Sequence, residues 1–190
     1  EMLNEEIARA VLISDGRSPA DEDKINEINV RPICMDDPNV FIERVQVAND
    51  ESIDNIIDEF IRARKAYKGS GTPDLYISTD LLTEMLLLKD DFKHRLYPTT
   101  KELASVLRVG EIIEVEPMNT ATRVVGDDVF EILGIVVNLK DYTIGADKGG
   151  EVALFDDFDI DYNQYKYLIE TRLSGALTMP KSALVIERLP

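Results

Sequence analysis

The densest run of groups able to do chemistry is Asp156, Asp157, Asp159 and Asp161, in the stretch FDDFDIDYNQ. With Asp159 as position one, Asp159, Asp161, Asn163 and Glu170 fall at positions one, three, five and twelve, the ligand spacing of a calcium loop. Position six, where that loop turns on glycine, is Gln164, and position eight is the cationic Lys166. The pattern from Tyr165 onward alternates as a strand rather than entering a helix. A solvated acidic edge therefore accounts for the segment better than a calcium site. Magnesium held by the same acids for phosphoryl transfer would also need a phosphate-binding loop or clustered cations. No GxxxxGK pattern occurs.

The carboxylate pairs Asp36-Asp37, Asp90-Asp91 and Asp127-Asp128 sit in turn-like stretches, where Asp bonds its own backbone, and read as solvated surface. His94, the only histidine, lies in LLKDDFKHRLYP without a serine or cysteine motif around it. Cys34, the only cysteine, excludes an internal disulfide and a thiolate-rich zinc site, and in RPICMDD reads as a small buried residue. The run IGADKGG (144–150) is better explained by a hairpin than by a phosphate loop. Tyr162, Tyr165 and Tyr167 have the faces to stack bases, but their acidic setting favours a packed sheet face. No residue is assigned to catalysis, to a cofactor or to a metal.

The elements that carry these residues follow from periodicity. The opening fourteen residues place Leu3, Ile7, Ala10, Val11 and Ile13 at helical spacing, closed by Asp15-Gly16. Residues 18–26 are turn-like, and Asn29 to Ile33 is a short extended piece limited by Pro32. A helix follows with Asn49 or Asp50 as cap, Ile53, Ile56, Ile57, Phe60 and Ile61 on one face, and basic residues before Gly69. Leu75 to Ser78 is a buried strand, and Thr79 caps a helix through Leu87 with Leu81, Leu82, Met85 and Leu86 inward. Thr99 to Glu102 is a capping box that opens a helix ending near Gly110. Glu111 to Glu116 reads as a strand, and Glu131 to Leu139 as a strand buried on both faces. Tyr142 to Phe155 reads as a hairpin turning on Asp147-Lys148-Gly149-Gly150. In Tyr162 to Glu187, Tyr165, Tyr167, Ile169, Thr171 and Leu173 alternate as the packed face of a strand, and Ser182 to Ile186 is a second short strand. Helices and strands without regular alternation make the class α+β.

Length and composition agree with a folded chain. At 190 residues there is room for one generous domain or two small ones, and 44% hydrophobic with 31% charged residues is an ordinary globular balance. The sequence contains no run of eighteen apolar residues. A formal net charge of -16 disfavours direct nucleic-acid binding, which needs clustered Lys and Arg, and provides mutual repulsion. The chain opens at Glu1 inside a helical pattern, as a fragment or processed product would.

Four stretches together resemble the tailed-bacteriophage major capsid proteins of the Hong Kong 97-type fold: EEIARAVLISDGR, DLYISTDLLTEMLLLKDDFKHRLYP, LRVGEIIEVEPM, and FDDFDIDYNQYKYLIETRLSGALTMPKSALVI. The likeness rests on the order of the pieces more than on any one motif. It implies a peripheral domain from residues 1–35 (the end of a long helix and a strand) and 158–190 (a long closing strand), around an axial domain at 36–157. The family's N-terminal arm, extended hairpin loop and most of its long helix have no counterpart here, so the chain resembles the later two-thirds of a capsid subunit. The resemblance implies a structural, non-enzymatic subunit forming hexamers and pentamers around double-stranded DNA in a virion, assembled in a bacterial cytoplasm. Partners would be copies of itself, a scaffolding protein or scaffold domain, and a portal, with no cofactor, no membrane and no sequence-specific nucleic acid. Acid on the axial domain would keep the inner wall from gripping packaged DNA.

Turn-rich segments commonly carry contacts. The expected subunit contacts are Met118, Asn119, Arg123, Asp128, Asp141, Tyr142, Lys148, Asn163, Lys166 and Arg172. Asn163 also lies near where some family members cross-link. An encapsulin-type compartment shell is the alternative within the fold. A small divalent-metal enzyme using Asp157, Asp159 and Asp161, or a monomeric binding module, are the alternatives outside it.

Overall fold

The structure, a computed structural model, describes residues 2–17, 20–22, 24–146, 153–159, 164–170 and 173–190. In chain order the helices and strands are α1 (Met2–Ile13), β1 (Ile42–Val47), α2 (Ile53–Ala63), β2 (Asp74–Ile77), α3 (Thr79–Leu87), α4 (Thr100–Leu107), β3 (Ile112–Glu114), β4 (Thr122–Val125), β5 (Asp128–Val137), β6 (Tyr142–Ala146), β7 (Ala153–Asp159), β8 (Gln164–Glu170), β9 (Leu173–Leu177) and β10 (Ala183–Arg188).

Local signals set most helix ends. α1 stops where Ser14 and Gly16 both take φ 71°, and the Asp15 carboxylate gathers the Ile25 amide at 2.7 Å, the Arg17 amide at 3.1 Å and the Lys24 ammonium at 3.2 Å. Thr99 caps α4 as expected, its hydroxyl accepting the Glu102 amide at 3.3 Å. Two caps differ from the sequence reading. Ser52, not Asn49 or Asp50, caps α2 through the Asn55 amide, because Asn49-Asp50 is spent in the turn that leaves β1. Ser78, not Thr79, caps α3 through the Leu81 amide; Thr79 is already helical.

Six strands form the main sheet, in the order β1-β10-β5-β2-β3, with β4 pairing along β5. β1 runs parallel to β10 and β2 parallel to β3, while β5 is antiparallel to β10, β2 and β4. Strand β1 is absent from the sequence reading, because IERVQV has only half the apolar signal of a buried strand. The sheet is covered on both sides. Leu75, Ile77, Leu184 and Ile186 join Ile56, Ile57 and Phe60 of α2, Leu81 and Met85 of α3, and Leu103 and Leu107 of α4. Tyr76, Ala183 and Val185 join the end of α1 and residues 30–34 on the other side.

The β5–β10 register slips between Ile186 and Glu187: Ile186 pairs with Gly134 and Glu187 with Ile132, leaving Leu133 as the extra residue of a bulge. The bulge sets Leu133 into the α2–α3–α4 core and brings Gly134 against the Phe60 ring. A Cβ at Gly134 would stand 2.9 Å from Phe60 Cζ and 3.3 Å from Leu75 Cδ1.

The remaining strands form two antiparallel pairs. β6 pairs antiparallel with β9 and β7 with β8, so the chain goes out through β6 and β7 and returns through β8 and β9. This replaces the expected Tyr142–Phe155 hairpin: β6 finds its partner in β9, and residues 147–150 lie outside the described residues. The expected packed face of Tyr162–Leu173 is also corrected at its one described aromatic, since Tyr165 is 64% exposed. The limits expected at 157 and 158 fall inside β7, and β10 lies within the main sheet between β1 and β5. The closing strand therefore belongs with the middle of the chain, because its all-buried ALVI run is satisfied only between two strands.

Gly134→Ala is expected to lower stability by about 1–3 kcal/mol, the usual range for overpacking a core. Thermal melts should show the loss, and Phe60→Leu combined with it should recover part.

Candidate functional site

Among the described residues, the groups with chemical potential are tied down rather than gathered. Cys34 is 1% exposed, and burial pushes its thiol up to about 12, against the pull of the Arg44 charge. His94 is exposed and meets Asp90 at 3.3 Å. Asp90 is a turn acid as expected, accepting the Phe92 and His94 amides at 2.9 and 2.8 Å. Asp36 is not solvated surface but 2% exposed. Burial holds its carboxyl above the ordinary value, outweighing the Asp37 amide and the Arg31 guanidinium at 3.5 Å. Asp159 pairs with Gln164 and Glu170 with Ala153, at opposite ends of the β7–β8 ladder. Their backbones are thus about 20 Å apart at the rise of a strand, too far to share one calcium ion. Asp161 and Asn163 lie outside the described residues.

The expected contact residues divide sharply. Met118 is 1% exposed and packs beneath the sheet with Ile132 and Ile135. Arg123, Asp141 and Tyr142 also turn inward, and within this chain these four side chains hold the fold together. Turn-rich sequence marks where the chain changes direction, and at Met118, Asp141 and Tyr142 that segment is packed against others. Asn119 is half-buried and accepts the Asp80 amide at 3.4 Å, while Asp128 is exposed beside the turn at Gly126. Lys148, Asn163 and Arg172 lie outside the described residues, and Lys166 is placed by its backbone alone, opposite Asp157.

Two polar knots hold the frame. In the first, Glu187 is 0% exposed on β10. Its carboxylate takes Arg123 in a fork, Nη2 to Oε1 at 2.6 Å and Nε to Oε2 at 3.0 Å. It also accepts Arg44 at 2.9 Å and Gln46 at 2.8 Å. Arg44 reaches on to the Cys34 carbonyl at 2.9 Å, and the Arg123 guanidinium lies 4.6 Å over the Phe130 ring. Strands β1, β4 and β10 are thereby joined through one carboxylate. Burial alone would raise the pKa of Glu187, but the bonds from Arg123 and Gln46 and the charges of Arg44 and Arg123 outweigh it and hold the carboxyl below its ordinary value of 4.5.

The second knot anchors the β6–β9 pair. The Asp141 carboxylate accepts the Ser70 amide at 2.7 Å and the Ser70 hydroxyl, and its carbonyl accepts the Thr178 amide and hydroxyl, each at 3.0 Å. The Tyr142 hydroxyl donates to the Arg31 carbonyl at 3.0 Å, crossing over Gly175, where a Cβ would meet the tyrosine oxygen at 2.8 Å. Residues 29–31 close on β9 through the Arg31 amide to the Gly175 carbonyl at 2.9 Å and the Gly175 amide to the Asn29 carbonyl at 2.8 Å. Sequence reasoning missed Glu187, Arg44 and Gln46. The alternation of Arg44 and Gln46 in IERVQV, and a lone acid ending the apolar run ALVI, are the signals that mark them.

This architecture defines a class before it defines a relative: an α+β chain with a phage major capsid-like fold. No family model matches the sequence, and no curated protein matches it. Among solved structures, a chain of Mycobacterium phage Ogopogo superposes with a TM-score of 0.58 at 11% identity, covering 96% of this chain and 63% of that one. The capsid of a native GTA particle, computed with C5 symmetry, superposes with a TM-score of 0.50 at 11% identity, covering 78% of this chain and 55% of that one. The chain thus spans less than two thirds of the length of either structure. The resemblance read from the order of sequence motifs is met by the fold, at an identity too low for sequence matching alone.

The Glu187 knot predicts acid sensitivity. With the folded pKa of Glu187 depressed, its contribution is complete above 4.5 and is lost as pH falls through the lower folded value. Asp15 acts in the same sense: burial raises its carboxyl, but the Ile25 and Arg17 amides and Lys24 outweigh that and hold it below 3.8. Asp36, raised, works in the opposite sense and offsets part of the loss. Urea unfolding across this range should show stability falling on acidification, and Glu187→Gln should flatten that dependence. Arg123→Ala, which leaves a buried charge short of its fork, is expected to cost about 3–5 kcal/mol at neutral pH.

Proposed function

We propose that the chain is a structural subunit of an icosahedral bacteriophage or prophage capsid of the Hong Kong 97-like type, arranged in hexamers and pentamers around double-stranded DNA. The observation that carries this reading is the superposition of 96% of the chain on a chain of a mycobacterial phage, with a TM-score of 0.58. The division of labour we propose is an axial unit built on the six-stranded sheet with α2, α3 and α4, and a peripheral unit made of α1 and the strands β6 to β9. This keeps residues 1–35 peripheral and most of 36–157 axial, and moves β10 to the axial unit.

The physical properties of the molecule support such a role. Shell subunits present complementary surfaces repeatedly, and individually weak contacts become strong when closed symmetry multiplies them. The net charge of -16 suits a wall that encloses DNA without gripping it. Asn119, Asp128, Lys148, Asn163, Lys166 and Arg172 remain proposed subunit contacts. A scaffolding protein or domain and a portal are the proposed assembly partners, the virion the proposed location, and assembly would take place in the bacterial cytoplasm. Among the described residues no helix is long and apolar enough to cross a membrane.

Electron microscopy of particles made from the complete gene, alongside the 190-residue chain, tests the proposal. Closed icosahedral shells with rings of five and six are the expected result. Shells filled with a co-purifying enzyme would replace the capsid by an encapsulin-type compartment. Failure to form any shell when scaffold and portal are co-expressed would overturn it.

A further inference from the structure

The end of α1, the segment that follows it and the run into β4 border a cleft of about 390 Å³. That is within the size range of clefts that take small molecules. Its lining combines the Arg9 guanidinium with the apolar side chains of Ile13, Met35 and Val124. Met35 is 40% exposed and Val124 62% exposed, so apolar surface is open to solvent there.

The charged groups of the cleft are unequally satisfied. Lys24 is engaged within the chain, by Glu27 at 3.0 Å and Asp15 at 3.2 Å, and Glu27 also accepts the Ser14 hydroxyl at 2.5 Å. Arg9 is not engaged. Its Nε is shut off from water without a hydrogen-bond partner, and among the described residues its guanidinium meets no carboxylate. Glu5 and Glu6, one turn earlier on α1, are exposed and leave it unpaired. The chain holds 37 acids against 21 Lys and Arg, so a half-buried guanidinium without an acid is out of keeping with its surroundings. Buried donors without acceptors cost free energy and are rare for that reason. The turn that ends α1 makes room for this one. A Cβ at Gly16 would stand 2.6 Å from Arg9 Nη2, so the guanidinium occupies space that only glycine leaves open.

We infer that this cleft binds a carboxylate on an aliphatic body, the carboxylate paired with Arg9 and the body lying on Ile13, Met35 and Val124. The planar fork of a guanidinium matches a carboxylate. One unpaired positive charge suits a monoanion, and Glu27 in the lining would repel a phosphate dianion. The same chemistry is carried by a small aliphatic acid or by an acidic side chain among apolar residues on a second copy of the chain. The inference does not depend on the capsid reading, since it follows from an unsatisfied guanidinium in a cleft with an apolar surface.

The experiment titrates octanoate into the complete gene product by calorimetry. Binding with a Kd of about 1 mM or tighter is expected. Octyltrimethylammonium, with the same body and the opposite charge, should bind at least about 10-fold more weakly, and Arg9→Gln should weaken octanoate by a similar factor. The melting temperature of Arg9→Gln should be unchanged or raised, because no partner is lost; a purely structural Arg9 would lower it. Val124→Glu, at an exposed strand position, should also weaken octanoate by offering the guanidinium a carboxylate of its own chain. Sedimentation separates the two sources. If octanoate and Arg9→Gln both disperse associated copies, the carboxylate belongs to a second copy; if association is indifferent to both, it belongs to a free acid. No octanoate binding up to about 10 mM, equal binding of octyltrimethylammonium, or full octanoate binding by folded Arg9→Gln or by Val124→Glu overturns the inference. Closed shells without octanoate binding would sink the cleft alone, and octanoate binding without shells would sink the capsid reading alone.

Discussion

The structure depends on one buried carboxylate. Glu187 sits at 0% exposure in the middle of a sheet, where an unpaired charge would cost several kcal/mol. It is tolerable because Arg123, Arg44 and Gln46 fill its oxygen lone pairs, and because Arg44 is itself held by the Cys34 carbonyl. Those partners lie on β4 and β1, which do not pair with each other. The carboxylate therefore does what backbone hydrogen bonding cannot: it sets the register of β1 on β10 and ties the β4–β5 hairpin to the same strand. A slip of one residue would turn Glu187 into an apolar face and strand two guanidinium groups. The bulge at Leu133 lies at the same point of the sheet, between the pairs Ile186–Gly134 and Glu187–Ile132.

With that register set, the rest of the frame follows. β10 between β1 and β5 makes a sheet buried on both sides, so helices α2, α3 and α4 cover one face while α1 and residues 30–34 cover the other. β6 follows β5 in the chain and β9 precedes β10, and the root of that pair is clamped by Asp141, Ser70, Thr178 and the Tyr142–Arg31 bond.

The candidate surfaces were legible only in part. Among the expected contact residues Met118, Asp141 and Tyr142 are interior, and Arg123 is half-buried in the Glu187 cluster. Exposure depends on what packs over a turn, and that comes from segments distant in sequence. Phe92 shows the reverse case. Its spacing within LLKDDFKHRLYP gives no sign of exposure, and only the closed hairpin of residues 88–96 shows that the ring is held in solvent.

What the sequence determined alone were the local elements: α2 and α4 from their apolar stripes and flanking charges, the Thr99 capping box, the buried β5 run, and the mixed α+β class. Each depends on interactions within a few residues, where periodicity and capping are strong enough to decide. What the tertiary structure decided were the partners. β6 pairs with β9 rather than with the following strand, β10 joins the middle of the sheet, and Asp36 becomes buried while Glu187 becomes the centre of an ion cluster. Those outcomes rest on contacts between residues far apart in the chain, such as Arg44 with Glu187, whose free energy exists only once both are removed from water and brought together.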